Sequence, residues 1–141
     1  MITILDDEPA RIEEMLHVLA AIGYQKEVRV FDNAPAMTRE LPSMLPRLEL
    51  ICLDHDLGPN RRNGDIVFDP GVGRDVADYL AAHSACCPVL IHTTNSLAAP
   101  GMRRVLEESG WPIARVIPHD DLEWITTDWQ DEVKRLLHLP R

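Results

Sequence analysis

Acidic side chains follow two short apolar segments of the chain, and their spacing suits a metal ion. Asp6 and Asp7 come directly after the first segment, and Asp54 and Asp56 come directly after the second. Carboxylates held close together repel one another until a divalent ion neutralises them. Mg²⁺ takes hard oxygen ligands and keeps several waters, which leaves positions for a phosphate oxygen. These four acids are therefore predicted to bind Mg²⁺ or Mn²⁺.

A purely structural interpretation of the same acids stays open. Under it, Asp6 and Asp7 only cap the helix that follows them, and Asp54 and Asp56 only end a strand at a turn. The occurrence of both acidic pairs in one chain favours the metal site.

Imidazole, hydroxyl and amide groups accompany these acids. His55 follows Asp54, and a third apolar segment ends in His92, with Thr93 and Asn95 close behind. An unperturbed imidazole has a pKa of about 6.5, so either histidine can exchange a proton near neutral pH, and His92 is the first candidate for this role. Thr93 and Asn95 can donate hydrogen bonds to a phosphate oxygen, and Asp54 can act as metal ligand or transient nucleophile. These five residues are the candidate catalytic group. The alternative is that His92 merely ends a strand and that His55 points into a neighbouring helix.

Apolar segments alternate with amphipathic ones along the whole chain. This pattern predicts five strands and five helices in an α/β fold with a parallel sheet. Ligands bind beyond the carboxyl ends of the strands in such sheets, so the candidate residues are expected to meet at one edge. The predicted strands are 2–5, 28–31, 48–53, 88–92 and 114–117, and the predicted helices are 11–23, 34–45, 74–83, 101–110 and 124–139.

The segment GPNRRNGDIVFDPGVG (58–73) is predicted to be a functional loop. It is rich in Gly, Asn and Pro and is too long for a usual connection between a strand and a helix. Arg61 and Arg62 in this segment, and Arg74 beside it, offer local positive charge for a phosphate. Arginines of this kind are more often simply solvated.

Composition predicts one globular domain over residues 1–141. With 45% hydrophobic and 26% charged residues, the chain is too apolar for disorder. Its net charge of -9 and its 14 scattered basic residues argue against an extended nucleic-acid-binding face.

Cysteine usage and apolar run lengths predict a cytoplasmic protein without a membrane partner. The three cysteines, Cys52, Cys86 and Cys87, have neither metal-ligand spacing nor the even count of a disulfide framework. The start MITILDDEPA lacks the features of a signal peptide, and no segment approaches the roughly 20 apolar residues that span a bilayer.

Three short motifs resemble the receiver domain of bacterial response regulators. They are ILDDE (4–8), LD (53–54) and a threonine at the end of the fourth predicted strand. The resemblance covers nearly the whole chain. It implies a flavodoxin-like (CheY-like), doubly wound fold, with a five-stranded parallel sheet in the order 2-1-3-4-5 and helices on both faces.

The receiver resemblance also implies roles for individual residues. Asp6 and Asp7 correspond to the acidic pair, Asp54 to the phosphoacceptor and Thr93 to the conserved hydroxyl. The chain departs from the family at Ile117, where a lysine that meets the acyl phosphate is expected. His119 is the only cationic candidate near that position.

Two further motifs, LDHDLG (53–58) and HTTN (92–95), resemble a divergent branch, the cyclic-phosphate-processing receiver-like domains. That branch is proposed to act on cyclic phosphate ends during RNA repair. The resemblance implies Mg²⁺-dependent recognition or processing of a cyclic phosphate or a similar phosphoester. The expected partner is an RNA end or a phosphorylated small molecule, and the expected activity is that of a metal-dependent phosphoesterase.

Two other functions stay open. One is a stand-alone response-regulator receiver that is phosphorylated on Asp54 in phosphorelay signalling, and the missing lysine counts against it. The other is a degenerate receiver kept as a protein-binding adaptor, and the intact acids count against that one. The sequence does not identify partner proteins.

Overall fold

The computed structural model describes residues 1–140, in which short strands alternate with helices. The strands are β1 (Ile2–Leu5), β2 (Val28–Phe31), β3 (Leu50–Leu53), β4 (Arg61–Asn63), β5 (Ile66–Phe68), β6 (Val89–His92) and β7 (Ile113–Val116). The α-helices are α1 (Pro9–Ala21), α2 (Ala34–Met44), α3 (Gly73–Ala81), α4 (Ala99–Glu108) and α5 (Gln130–Leu136). A 3₁₀ turn follows α2 at Leu45–Arg47, and a π-helical turn precedes α5 at Ile125–Trp129.

Five of these strands form one parallel sheet in the order β2-β1-β3-β6-β7. Leu5 of β1 pairs with Leu53 of β3, and Leu53 pairs with Ile91 of β6, so the three central strands end close to the same level. The flavodoxin-like fold predicted from the sequence is confirmed, since β6 and β7 are the fourth and fifth strands of this sheet. The side chains that follow β1, β3 and β6 therefore share one edge.

The two faces of the sheet pack against different helices. Ile4 and Leu90 face α1 and α5, whereas Leu5, Leu53 and Ile91 face α2, α3 and α4. All five side chains are fully buried, and burying one Leu or Ile stabilises a fold by roughly 1.5–3 kcal/mol. The central strands are covered on both faces, so their carboxyl ends are held in a rigid frame.

The long segment 58–73 contains a β-hairpin that the sequence interpretation left as a loop. Strands β4 and β5 pair antiparallel, with Asn63 opposite Ile66, which leaves Gly64 and Asp65 as a two-residue turn. Gly64 has φ +65°, a left-handed conformation that glycine adopts without a steric penalty. The Asn63-Gly64 dipeptide is the sequence signal for such a turn.

All five helices differ from their predicted bounds, four of them by at most two residues at either end and the last by more. Pro42 lies inside α2, which continues to Met44 because Leu41 and Met44 are both fully buried against the sheet. The predicted helix 124–139 is divided, since Ile125 and Trp129 are buried in a π-helical turn before α5 begins. Within residues 1–140, no helix has both the length and the apolar character needed to cross a membrane.

Candidate metal centre

The carboxyl ends of β1 and β3 bring three acids together. Asp6, Asp7 and Asp54 each place one carboxylate oxygen within 4.8 Å of the other two, and we call these residues the acidic trio. Their backbones are fixed by the sheet, because the Asp54 amide donates to Leu5 O at 2.9 Å and the Asp6 amide donates to Phe31 O at 3.0 Å. Three hard oxygen donors from two strands fit Mg²⁺ or Mn²⁺.

Capping of α1 does not account for the trio. Glu8 is the N-cap residue of α1, and its carboxylate accepts a hydrogen bond from the Ala10 amide. Oδ1 of Asp6 accepts from the Glu8 amide at 2.9 Å, which leaves Oδ2 for another partner. Asp7 makes no capping bond among the described hydrogen bonds.

Burial and mutual repulsion set the pKa values of the trio. Burial raises the pKa of Asp54 to about 6, and the charge of Asp6 adds to the rise against the opposing effect of His92. Burial and the charge of Asp6 also raise the pKa of Asp7. For Asp6, burial acts to raise the pKa, but the hydrogen bond and charge of His92 outweigh it and the pKa is lowered. Asp6 is thus held ionised while Asp54 gains most from a bound cation.

His92 supports the trio from the core. Its Nε2 donates to Oδ2 of Asp6 at 2.9 Å, and both side chains are 0% exposed. The imidazole ring stacks on Trp124, with 5.8 Å between ring centroids. The structure therefore places His92 behind a carboxylate of the trio and out of contact with solvent. Its Nδ1 is buried and has no hydrogen-bond partner among the described residues.

His55 follows β3 and contacts the start of α3. Its Nδ1 accepts a hydrogen bond from the Arg74 amide at 3.3 Å, and its carbonyl oxygen accepts from the Gly73 amide at 2.8 Å. The alternative that His55 points toward a neighbouring helix, which strand alternation allows, therefore describes its position. With Nδ1 acting as an acceptor, Nε2 carries the proton in the neutral ring. The ring is half-buried, so this N–H lies nearer to solvent than His92 does.

Gly73 makes the approach of α3 to β3 possible. A Cβ atom at this position would lie 1.8 Å from the backbone oxygen of Asp54, so any other residue would push the helix away. The sequence interpretation gave Gly73 no role. A glycine opening a helix after a long loop is the signal that could have indicated such a contact.

Asp56, Asn95 and Thr93 form a second polar group beside the trio. The Asn95 side-chain amide donates to Oδ2 of Asp56 at 3.2 Å, and its oxygen accepts from the Ala98 amide at 2.9 Å ahead of α4. The hydroxyl oxygen of Thr93 accepts from the Asn95 amide at 3.0 Å. The structure does not bring Asp56 into the trio, because its carboxylate is exposed and is engaged by Asn95.

Arg11 is a site residue that sequence reasoning missed. Its Nε lies 3.5 Å from Oδ1 of Asp6, and its Nη2 lies 3.5 Å from Oδ2 of Asp54. Arg11 stands in the first turn of α1, four residues after Asp7, and this spacing could have indicated an arginine that reaches back to the acids.

Arg61 in the long segment and Arg74 beside it each form an ion pair. Arg61 pairs with Asp32 at 2.9 Å and donates to the Leu57 carbonyl, and it lies near enough to Asp7 to oppose the rise of that pKa. Arg74 pairs with Asp78 at 2.8 Å. Arg62 is exposed on β4.

The end of β7 offers no cation to the trio among the described contacts. Ile117, at the position where the receiver pattern has lysine, is 59% exposed. His119 pairs instead with Asp128 at 3.0 Å and Asp120 at 3.3 Å, and these hydrogen bonds raise its pKa. The replacement of the receiver lysine by Ile117 therefore removes a positive charge from this position.

Comparison with known proteins identifies a family. Residues 1–108 match the sequence model of the family described as the cyclic-phosphate processing receiver domain. No curated protein matches the chain at a significant level.

Several solved structures share the fold. The Mn²⁺-bound form of response regulator Rcp1 is 18% identical with a TM-score of 0.72, and the match covers 99% of this chain and 98% of that one. The phosphorylated cyanobacterial phytochrome response regulator RcpA is 16% identical with a TM-score of 0.68, covering 96% and 92%. A response regulator receiver domain from Rhodospirillum rubrum is 15% identical with a TM-score of 0.67, covering 97% and 91%. At these identities the likeness establishes the fold.

Proposed function

Because the chain belongs to the cyclic-phosphate processing receiver domain family, we propose that it uses the acidic trio to bind Mg²⁺ or Mn²⁺ and to process a cyclic phosphate. The substrate class is a cyclic phosphate or similar phosphoester of the RNA-end repair type. The observation that carries the proposal is the convergence of three carboxylate oxygens within 4.8 Å at the edge of the sheet. The Mn²⁺-bound Rcp1 structure, which has the same fold, supports the choice of ion.

The trio has the donor chemistry that a divalent ion needs. Asp6, Asp7 and Asp54 supply up to three oxygen ligands, which leaves positions for water and for a phosphate oxygen. When bound, the ion supplies polarisation of the phosphoryl oxygens and charge neutralisation. As an alternative, Asp54 would attack the phosphorus as a transient nucleophile, breaking one P–O bond of the cyclic ester and freeing its hydroxyl, and water would then hydrolyse the acyl phosphate to restore the carboxylate.

We assign proton transfer to His55 ahead of His92. The half-buried ring of His55 directs its acceptor nitrogen to the Arg74 amide, which leaves an Nε2–H to exchange with a leaving hydroxyl or water. His92 is fully buried against Asp6, so its contribution is to orient that carboxylate.

Thr93 and Asn95 are assigned to the phosphate. The Thr93 hydroxyl oxygen already accepts a hydrogen bond from the Asn95 amide, so its own hydrogen is available as a donor. The Asn95 side-chain amide, now donating to Asp56, is a second donor at the same edge. Both would stabilise charge on the phosphoryl oxygens.

Phosphorus NMR tests this function directly. A short RNA with a 2′,3′-cyclic phosphate end is incubated with Mg²⁺ and the protein, beside the Asp54→Asn variant. Conversion of the cyclic resonance by the wild type, and its loss in the variant, is the expected result. An unchanged resonance with folded wild-type protein would reject processing of this substrate.

A phosphoreceiver is the second candidate function. The chain is a receiver domain of the response-regulator type, and the phosphorylated RcpA structure has the same fold. Asp54 would then take a phosphoryl group from a small phosphodonor. The exposed Ile117 counts against this function, because it stands where the receiver pattern has the lysine that meets the acyl phosphate. Mass spectrometry after incubation with acetyl phosphate separates the two candidates: an added phosphoryl group on Asp54 without RNA conversion favours the receiver.

A further inference from the structure

The guanidinium of Arg11 contacts two members of the acidic trio at the edge of the sheet. Its guanidinium lies 3.5 Å from Asp6 through Nε and 3.5 Å from Asp54 through Nη2. Among the described ion pairs, it is the arginine that contacts the trio directly. The Arg11 side chain is 23% exposed, so it lies between the buried carboxylates and solvent.

The contacts of Arg11 are looser than those of a fixed salt bridge. Charge-assisted hydrogen bonds between nitrogen and carboxylate measure about 2.7–2.9 Å, and both contacts here are longer. The buried Nε has no hydrogen-bond partner among the described residues. A guanidinium held in this way, with one long hydrogen bond from Nη2 to Oδ2 of Asp54, lowers the repulsion among the acids but leaves Nε unsatisfied, so other ligands can compete for both sides.

A divalent ion and Arg11 compete for the same two carboxylates, Asp6 and Asp54. The ion brings two positive charges, whereas the guanidinium brings one charge at 3.5 Å from each carboxylate. A bound ion also repels the guanidinium, because like charges at such distances oppose one another. Metal binding therefore releases Arg11 from Asp6 and Asp54 toward the solvent side of the edge.

The released guanidinium is suited to a phosphate. Arginine presents planar, forked donors that match phosphate oxygens, and its charge does not depend on pH. The position that carries lysine in receivers is Ile117 here, and Arg115 of β7 donates to the Thr93 carbonyl and not to the trio among the described contacts. Arg11 is a candidate replacement, since it starts from contact with Asp54 itself.

We propose that Arg11 is an exchangeable counter-cation, which neutralises Asp6 and Asp54 in the metal-free protein and binds the phosphate of the ligand once a divalent ion takes its place. This inference rests on the proposed metal-dependent function and specifies how the same site admits an anion. It makes Arg11 an inhibitor of metal binding and a promoter of phosphate binding.

Two titrations test the exchange, with Arg11→Gln compared to wild type. Mn²⁺ binding is followed by the electron paramagnetic resonance of the free ion, and inorganic phosphate binding is followed by phosphorus NMR at saturating Mg²⁺. The matched control is Arg104→Gln, which removes the same charge from an 81% exposed side chain on α4 that pairs only with Glu108.

Opposite shifts are expected from the one substitution. Arg11→Gln should tighten Mn²⁺ binding by roughly three- to tenfold and weaken phosphate binding by at least about threefold, from the loss of one nearby charge. Arg104→Gln should change neither by more than about twofold at 0.15 M salt.

The outcomes distinguish this inference from the proposed function. Weaker or unchanged Mn²⁺ binding in Arg11→Gln, with normal binding by wild type, would overturn the exchange and leave the metal centre intact. A loss of both affinities would show that Arg11 only supports the fold, which also overturns the exchange. No Mn²⁺ binding by either protein would reject the metal centre and the exchange together.

Discussion

The two histidine-bearing strand ends of this molecule differ in how they are built. At the end of β6, His92 is fully buried, stacks on Trp124 and donates to Asp6. At the end of β3, His55 is half-buried and accepts from the first turn of α3. Similar motifs, each a histidine beside polar residues, thus serve different purposes. His92 stabilises the charge of Asp6, and His55 keeps a proton close to solvent.

The largest difference between these regions should appear in stability. His92→Ala removes the donor to Oδ2 of the buried Asp6 carboxylate, and loss of one partner of a buried charged pair costs roughly 3–5 kcal/mol. His55→Ala removes one acceptor at a helix start, which costs roughly 1 kcal/mol. Urea unfolding of the two variants at pH 7 measures both free energies. Equal losses would mean that the His92–Asp6 pair has no special energetic role.

Metal affinity should separate the two histidines next. His92→Gln should weaken Mn²⁺ binding by roughly 10- to 100-fold, the usual effect of losing a residue that orients a ligand. His55→Gln should leave the affinity within about threefold, since the described contact of His55 with the trio is made by its backbone amide, which donates to Oδ1 of Asp54 at 2.7 Å and is kept in the variant. Calorimetric titration with Mn²⁺ checks this. A larger effect of His55→Gln would indicate that the ion binds nearer to Asp56 and the end of β3.

The acidic edge could be predicted from the sequence because strand ends are encoded locally. The runs ITIL and LELICL read as strands, and in a parallel sheet their trailing acids must meet. The sheet order was implied by the resemblance of the short motifs to receiver domains, whereas the alternating elements predicted only a parallel sheet. That the acids of the trio end adjacent strands therefore depends on the sheet order that the resemblance implied.

The partners of those acids could not be predicted in the same way. His92 contacts Asp6 across the intervening strand β3, and this contact depends on the sheet order as well as on the alternation that places His92 on the same face as Leu90. Arg11 reaches Asp54 only because α1 returns over the edge at a particular angle. Asp56 was grouped with the trio by proximity in sequence, but the turn after β3 directs it to Asn95.

The hairpin was missed for a different reason. Composition described the segment 58–73 correctly as rich in turn formers, yet pairing of β4 with β5 depends on a single two-residue turn at Gly64-Asp65. Ile66 and Val67 on this hairpin are 68% and 55% exposed, so no hydrophobic alternation toward a core identified the strands.

The smallest expected effect is the pH dependence of Mn²⁺ affinity, which follows from the different pKa values of Asp6 and Asp54. His92 lowers the pKa of Asp6, whereas burial raises that of Asp54 to about 6, so Asp54 is the member of the trio that takes up a proton in mildly acidic solution. A metal ion must displace that proton, so Mn²⁺ affinity should fall by up to about tenfold per pH unit below 6 and level off above it.

The metal-free protein should show the opposite trend at Asp54. Its folded pKa of about 6 lies above its unfolded value, so the native state binds more protons in between. The contribution of Asp54 to the free energy of unfolding is then fully present below the unfolded pKa and is lost as pH rises through about 6. Urea unfolding from pH 4 to 8 measures it as the difference between wild type and Asp54→Asn. If that difference is independent of pH, the pKa of Asp54 is the same in the folded and unfolded states. Burial at the end of β3 then does not destabilise the ionised carboxylate, and a cation has no such effect to offset.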